Sequence, residues 1–411
     1  MKTKLIGIFL SALLLSTTLS TATALQPTAT ALQPTATQQE IQEQLTNNDV
    51  IFDRLITILL KIGHYPGMST CIIKNTTVVW INGYGLYDIE QQKQATEHTI
   101  YVVASITKTI TSTALMQLYD QGFFHLDDDV NKYLPFNLRN PNFPNDPITI
   151  RMLLSHSSSL NNDPLYYHWL NYSHAPPIPW YPSPWLEEYL LPGGAFYSTE
   201  IWSTKYHPGE YTQYANANFD LAAYLVQLFT GEPFHEYCSE HIFTPLEMTQ
   251  TSFRLPDLNI DDVAIPYVYQ NRKYEALPYY QLLHYPVGGL MTSVDDLSHF
   301  LIAHMNHGVY NGTRILQQET VELMHTIQPP GNTYYDFYYG LGWMIEETLI
   351  GNNTYSGHSG DIPGIHTRMF MDQSDNTGII CFFNSDRSTY VKMFVSTMIR
   401  NLLFAKAEHL S

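Results

Sequence analysis

Two serines in this sequence stand in contexts that could make them nucleophiles. Ser105 lies in ASITKTITS (104–112), with Lys108 one helical turn later, and Ser359 lies in GHSGD (357–361). Residues three apart on a helix share a face, with Cβ atoms about 5–6 Å apart, so the Lys108 amine can reach the Ser105 hydroxyl. A helix start also offers unpaired N–H groups and a positive dipole end, which suit an anionic acyl-transfer intermediate. For Lys108 to act as a base near pH 7, its pKa must fall by roughly 3.4 units, or about 4.6 kcal/mol. Deep burial alone can supply about 3–5 units, and the apolar flanks YVVA and ITSTALM point to burial. A bare Ser-x-x-Lys also fits a capping serine followed by a surface lysine. GHSGD fails as a nucleophile elbow, because G-x-S-x-G needs glycine where Asp361 stands.

The elements that must position these residues can be read from periodicity. Ile51, Phe52, Leu55, Ile56, Leu59 and Ile62 recur at helical spacing, and GHYPG stops that helix. MSTCIIK and TTVVWINGYG read as two strands, and a helix is expected from Ser105 to about Gly122. From there to about 285 the chain is helical and loop segments. One clear helix holds Leu221, Ala222, Leu225, Val226 and Phe229 and is closed by Gly231. A helix over roughly 294–307, strands at NTYSGHSG, IHTRMFMD and TGIICFFNS, and a last helix at about 388–404 complete the pattern. Strands at both ends predict one sheet built from the two termini, with the helical block inserted.

The bulk numbers exclude several function classes. The chain has 411 residues, 44% hydrophobic and 14% charged, with a net charge of −18, which argues against nucleic acid or an anionic membrane as partner. Residues 1–24 read as a secretory signal, with Lys2 and Lys4, an apolar Leu5–Leu15 stretch and Ala22-Thr23-Ala24. The alternative is a membrane-tethered N-terminus, but the apolar run is too short to span a bilayer. Residues 25–38 carry the doubled heptapeptide ALQPTAT and read as a linker. The three cysteines, Cys71, Cys238 and Cys381, suggest at most one disulfide and better fit buried thiols. Asn75, Asn171, Asn311 and Asn352 are glycan acceptors only in a host that glycosylates. No metal motif is present, and His304 and His307 are expected on a helix surface.

PGMSTCIIKNTTVVWINGYGLYD, TIYVVASITKTITSTALMQLYDQGFFHLDDDVNKYLP, ITIRMLLSHSSSL, PGEYTQYANANFDLAAYLVQLFTG, VGGLMTSVDDLSHFL, YGLGW and GHSGDIPG occur in this order over 45–400. Together they resemble the class C β-lactamase-like serine hydrolases, which include D-alanyl-D-alanine carboxypeptidases, penicillin-binding proteins and esterases. The resemblance implies an α/β fold of β-lactamase/transpeptidase type: an antiparallel sheet flanked by helices plus an inserted, mostly helical subdomain. The catalytic domain would be 39–405, with a sheet lobe at 39–115 and 286–405 and a helical lobe at 116–285.

By the same resemblance Ser105 is the nucleophile and Lys108 its partner, and Tyr214 and Asn216 form a Tyr-x-Asn motif. His358-Ser359-Gly360 stands where many members have Lys-Thr-Gly. Backbone N–H groups of Ser105 and Asp361 would receive the oxyanion, Asn216 would orient the substrate and Lys108, and no cofactor is implied. His156 matches a recurrent histidine, read as structural, but Ser157-Ser158-Ser159 follows it where Thr-Ser-Gly is usual.

The expected protein is a secreted or periplasmic serine hydrolase acting on a small molecule or peptide, of carboxypeptidase or esterase type. Its β-lactamase activity should be weak, because His358, unlike lysine, is largely neutral above pH 6.5. Arg368 could restore a carboxylate site or be an exposed strand arginine. The aromatic, Pro-rich segment 164–191 could be a flap over the cleft or a loop packed on itself. A penicillin-binding sensor and a non-catalytic scaffold remain as alternatives, and the oligomeric state is open.

Overall fold

The computed structural model describes residues 36–161, 170–171, 185–279, 281–333, 335–347 and 353–410. The expected signal, most of the linker, most of the aromatic segment 164–191 and the acceptor Asn352 lie outside the described residues. Residues 36–38, expected to end the linker, already belong to helix α1 (Ala36–Gly63). Contacts separate a unit Met1–Asp53 from a larger unit Arg54–Ser411.

In the second half of α1, Ile56, Leu59 and Leu60 are buried, as their helical spacing requires. The helix stops at Gly63, and His64 turns the chain with φ +52°. Strands β1 (Gly67–Lys74), β2 (Thr77–Asp88) and β3 (Lys93–Gln94) follow. The C-terminal part supplies β4 (Tyr338–Tyr339), β5 (Met344–Glu347), β6 (Thr354–Ile362), β7 (Ile365–Asp372) and β8 (Thr377–Phe383). They form one sheet in the order β4-β5-β6-β7-β8-β1-β2-β3, antiparallel throughout. The two termini therefore build a single sheet, as the strand pattern implies.

Helix α2 (Thr107–Asp120) continues directly from a 3-10 turn at Ala104–Ile106. The inserted segments include α3 (Ile150–Leu154), α4 (Ala217–Thr230), capped by left-handed Gly231, and the short α5 (Tyr285–Gly288). Helices α6 (Val294–Met305), α7 (Gln318–Met324) and α8 (Tyr390–Ala407) complete the elements that matter here. One hydrophobic cluster runs from Cys71 and Ile380 in the sheet through Ile110 to Leu153 and Phe219 in the insertion. Among the described residues, no helix is long and apolar enough to cross a membrane.

Register decides which side chains face the site. His358, Met369, Ile380 and Cys71 stand opposite one another in turn and share one face. Cys71 contacts the Val294 carbonyl at the start of α6, so this is the α6 face. Ser359, Arg368 and Cys381 share the other face, where Arg368 reaches Ser396 and Thr397 of α8. The thiols of Cys71 and Cys381 thus emerge on opposite faces, and all three cysteines are free and buried.

Candidate active site

The turn that carries Ser105 is held in an unusual backbone state. Ala104, a non-glycine residue, has φ +49°, in the left-handed region that costs about 1 kcal/mol or more. The Thr107 hydroxyl donates to the Ala104 carbonyl at 2.6 Å and accepts from the Leu290 N–H at 3.2 Å. Val103 N–H also donates to the Leu290 carbonyl, at 2.8 Å. Ser105 is thereby presented partly exposed at the head of α2, while Lys108 is fully buried.

Ser105 Oγ lies 3.0 Å from Lys108 Nζ and 2.8 Å from Tyr214 Oη, so it is held between amine and phenol. Lys108 also donates to the Val287 carbonyl at 2.8 Å, and its Nζ sits 5.0 Å from the centre of the Tyr214 ring. Burial pushes the Lys108 amine well below its ordinary pKa, with Asp220 opposing. In its neutral form the amine can donate to Val287 and accept the Ser105 proton. Asn216 is buried at the start of α4, two residues beyond Tyr214.

Proximity of serine to lysine is not sufficient by itself. Lys392 Nζ lies 2.8 Å from Ser385 Oγ, but Asp386 sits 3.2 Å from the same amine. Ser385 is fully buried and donates to the Tyr267 carbonyl. That serine has no approach for a substrate, and its lysine is paired with a carboxylate.

Strand β6 brings the third motif alongside. At Gly360 an added Cβ would lie 2.5 Å from the Val103 carbonyl and 2.8 Å from Ala104 Cβ, so only glycine lets the strand approach the nucleophile turn. Strand β5 pairs with β6 only as far as Gly357, leaving the 358–362 edge uncovered by β5. His358 is buried and its Nδ1–H donates to the Ser359 carbonyl at 2.7 Å. A carbonyl can only accept, so Nδ1 carries the proton and Nε2 presents a lone pair, with no partner among the described residues. Burial first, and Lys108 second, push His358 down to about 3, leaving it neutral.

Three sequence expectations need correction. Ser359, expected beside the substrate, has its side chain on the α8 face because it alternates with His358. Arg368 is neither exposed nor available to a substrate carboxylate: it is 4% exposed and turned toward α8. His304 is buried rather than on the helix surface. It bonds Thr113 on one side and His325 on the other, and His325 in turn reaches Ser356 of β6. His307 is exposed.

Asp361 likewise places its carboxylate on the α8 face, against His366 at 2.8 Å and Arg387 at 3.0 Å. Burial works against its charge, but His366 and Arg387 outweigh burial and hold the carboxyl below its usual range. Any role of Asp361 at Ser105 therefore rests on its backbone.

His156 is structural in placement. Its ring packs 4.4 Å from that of Tyr214, and its Nδ1 accepts from the Ala215 N–H at 3.2 Å, which steadies the Tyr214–Asn216 segment. Ser159, where the resemblance has glycine, still takes φ +63°, with its hydroxyl bonded to Asn140 at 3.0 Å. Sequence reasoning missed the Val287 carbonyl, the buried Tyr339 ring 4.6 Å from His156, and Asp220. Only Asp220 left a signal, as a carboxylate on the apolar face of α4. Glu232, Glu240 and His241 bring possible metal-ligand atoms within 4.8 Å of one another, but both glutamates are exposed and none belongs to this site.

A family model described as Beta-lactamase matches residues 52–393. Protein flp of Staphylococcus aureus (strain MRSA252) is 30% identical over 350 residues, covering 84% of this chain and 64% of that protein. The chain thus spans just under two thirds of that relative's length. A protein of Escherichia coli (strain K12), provisionally named a D-alanyl-D-alanine carboxypeptidase, is 26% identical over 75% of this chain and 76% of its own. Among solved structures, the octameric penicillin-binding protein homologue from Pyrococcus abyssi superposes with a TM-score of 0.69 at 26% identity, over 86% of this chain and 77% of that one. With the antiparallel sheet, the inserted helices and the matched span in agreement, the chain belongs to the beta-lactamase family of serine hydrolases.

Proposed function

We propose that the protein is an exported hydrolase working through an acyl-enzyme on Ser105, with carboxypeptidase- or esterase-type substrates and weak activity on β-lactams. The observation that carries this reading is the Ser105 hydroxyl held between Lys108 Nζ and Tyr214 Oη at 3.0 and 2.8 Å. Lys108, lowered by burial, takes the Ser105 proton as Oγ attacks the substrate carbonyl. Ser105 and Asp361 N–H groups receive the oxyanion, one such donor being worth about 2.7–4 kcal/mol. Tyr214 gives its phenolic proton to the leaving group and is reprotonated by the proton that Lys108 took from Ser105, and the ester is then hydrolysed. Lys108 and Tyr214 act here as a coupled pair. Asn216 orients the substrate. Export is proposed from residues 1–24 alone.

The preference against β-lactams rests on His358. A neutral ring offering a lone pair gives a carboxylate no cation, Arg368 is turned away, and Arg387 is engaged by Asp361. His358→Lys is expected to raise the rate of penicillin acylation by about tenfold or more, the scale of a charge-assisted hydrogen bond. Hydrolysis of a neutral ester should rise much less. Comparing stopped-flow acylation by penicillin and by an activated ester in both proteins tests this. Equal penicillin rates would remove the charge argument.

A further inference from the structure

Lys108 needs more than burial to work as a base. Its amine is fixed by the carbonyl of Val287 in α5, one residue beyond Pro286, whose carbonyl accepts from Thr111. With the Leu290 contact to Thr107, the 286–290 segment lies as a strap along one face of α2, across Thr107, Lys108 and Thr111. The strap begins at His284, which precedes α5 and whose carbonyl accepts the Val287 N–H at 3.1 Å. His284 Nδ1 lies 2.9 Å from Asp220 Oδ2 of α4, with side chains 2% and 0% exposed. Asp220 stands next to Phe219, whose ring centre is 6.0 Å from Lys108 Nζ. We propose that Asp220 and His284 form the positioning pair of the acylation step. His284 anchors the strap that holds Val287 onto Lys108, and the Asp220 charge compensates the ammonium formed as Lys108 takes the Ser105 proton.

In that step the Ser105 O–H bond breaks and an N–H bond forms on Lys108, while Oγ bonds to the substrate carbonyl carbon and the C=O π pair moves onto oxygen as the oxyanion. The titratable groups facing Lys108 are Ser105 on its own face, Tyr214 ahead of α4, Asp220 from α4, His156 after α3 and His358 from β6. From α5 comes a carbonyl only. Burial leaves both histidines neutral, with pKa values pushed well down. Among the described residues, a new positive charge on Lys108 therefore meets one carboxylate, Asp220, which acts to raise the Lys108 pKa.

This inference rests on the acyl-enzyme reading above, and the experiment separates the two. Acylation by an excess of activated ester is followed by intact mass in single-turnover mode from pH 5 to 9. No adduct on the wild type would sink the acyl-enzyme reading itself. Asp220→Asn keeps a hydrogen-bond acceptor for His284 but removes the charge. It is expected to lower the plateau rate about tenfold, and to move the acid limb to lower pH as Lys108 loses its compensating charge. His284→Asn keeps the charge and loosens the strap, and it serves where the first variant does not fold. It should slow acylation with the acid limb unmoved or moved to higher pH. An acid limb unchanged in Asp220→Asn, or displaced to lower pH in His284→Asn, would overturn the proposal.

Discussion

Lys108→Met is expected to slow acylation of Ser105 by about 10³-fold while making the folded protein more stable at pH 7. The rate effect follows from removing the base that lies 3.0 Å from Ser105 Oγ, since general-base catalysis is worth about 10²–10⁴. The stability effect has the opposite sign because the amine is buried without becoming a comfortable ammonium. Its folded-state pKa is lowered by burial, so below the ordinary lysine range the unfolded chain holds a proton that the folded state lacks. Stability is therefore lost as pH falls from about 10 toward neutrality. Methionine fills a similar volume and carries no proton, so the variant's advantage should be largest near pH 7 and shrink as pH rises to about 10. Urea unfolding of both proteins at pH 7 and 9.5, alongside burst acylation, measures both halves. A variant that acylates at the wild-type rate, or whose stability difference is the same at both pH values, contradicts this placement of Lys108.

The second large effect is acid destabilisation through buried histidines. His304 and His358 are both pushed down to about 3, chiefly by burial. Above pH 6.5 they are neutral in both states and contribute no pH dependence. Below it the unfolded chain takes up protons that the folded rings refuse, so stability falls by about 1.4 kcal/mol per pH unit for each. Between pH 7 and 5 the two together should remove about 4 kcal/mol, a large share of a typical 5–15 kcal/mol. His156, His325 and His366, also lowered by burial, act in the same direction. Asp296, raised by burial, opposes them, but only at lower pH in the carboxylate range. Denaturant titrations at pH 7 and pH 5 should show this loss. A midpoint that does not move would mean that these rings are not sealed from solvent.

What the sequence made legible divides along physical lines. Local spacing put Ser105 and Lys108 within reach of each other, but a capping serine before a surface lysine fits the same spacing, and it was the ordered resemblance over 45–400 that separated the two. Strand alternation was also legible, and it already implied that Ser359 and His358 face opposite ways. Adjacent strand residues cannot share a face, which removes the Ser359 side chain from the site. Arg368 needed register: its neighbours became known only once β7 was paired with β6 and α8 lay across that face. His304 continues the buried stripe of Leu297, Phe300 and Leu301 on α6, a signal masked by the usual preference of histidine for the surface. The Val287 carbonyl left no trace at all. A backbone acceptor is common to every residue, so only tertiary structure shows which one a lysine meets. The Asp220–His284 pair joins residues 64 apart, and charge pairing at that distance is invisible without the fold.

The measurement that bears most directly on the account is intact mass against time after adding an activated ester or a penicillin to the wild type and to Ser105→Ala. An adduct on the wild type only, forming faster with the ester, is the predicted result, and its lifetime gives the deacylation rate. An adduct that survives in Ser105→Ala would contradict the assignment of the nucleophile, and so would no adduct and no released product with either reagent.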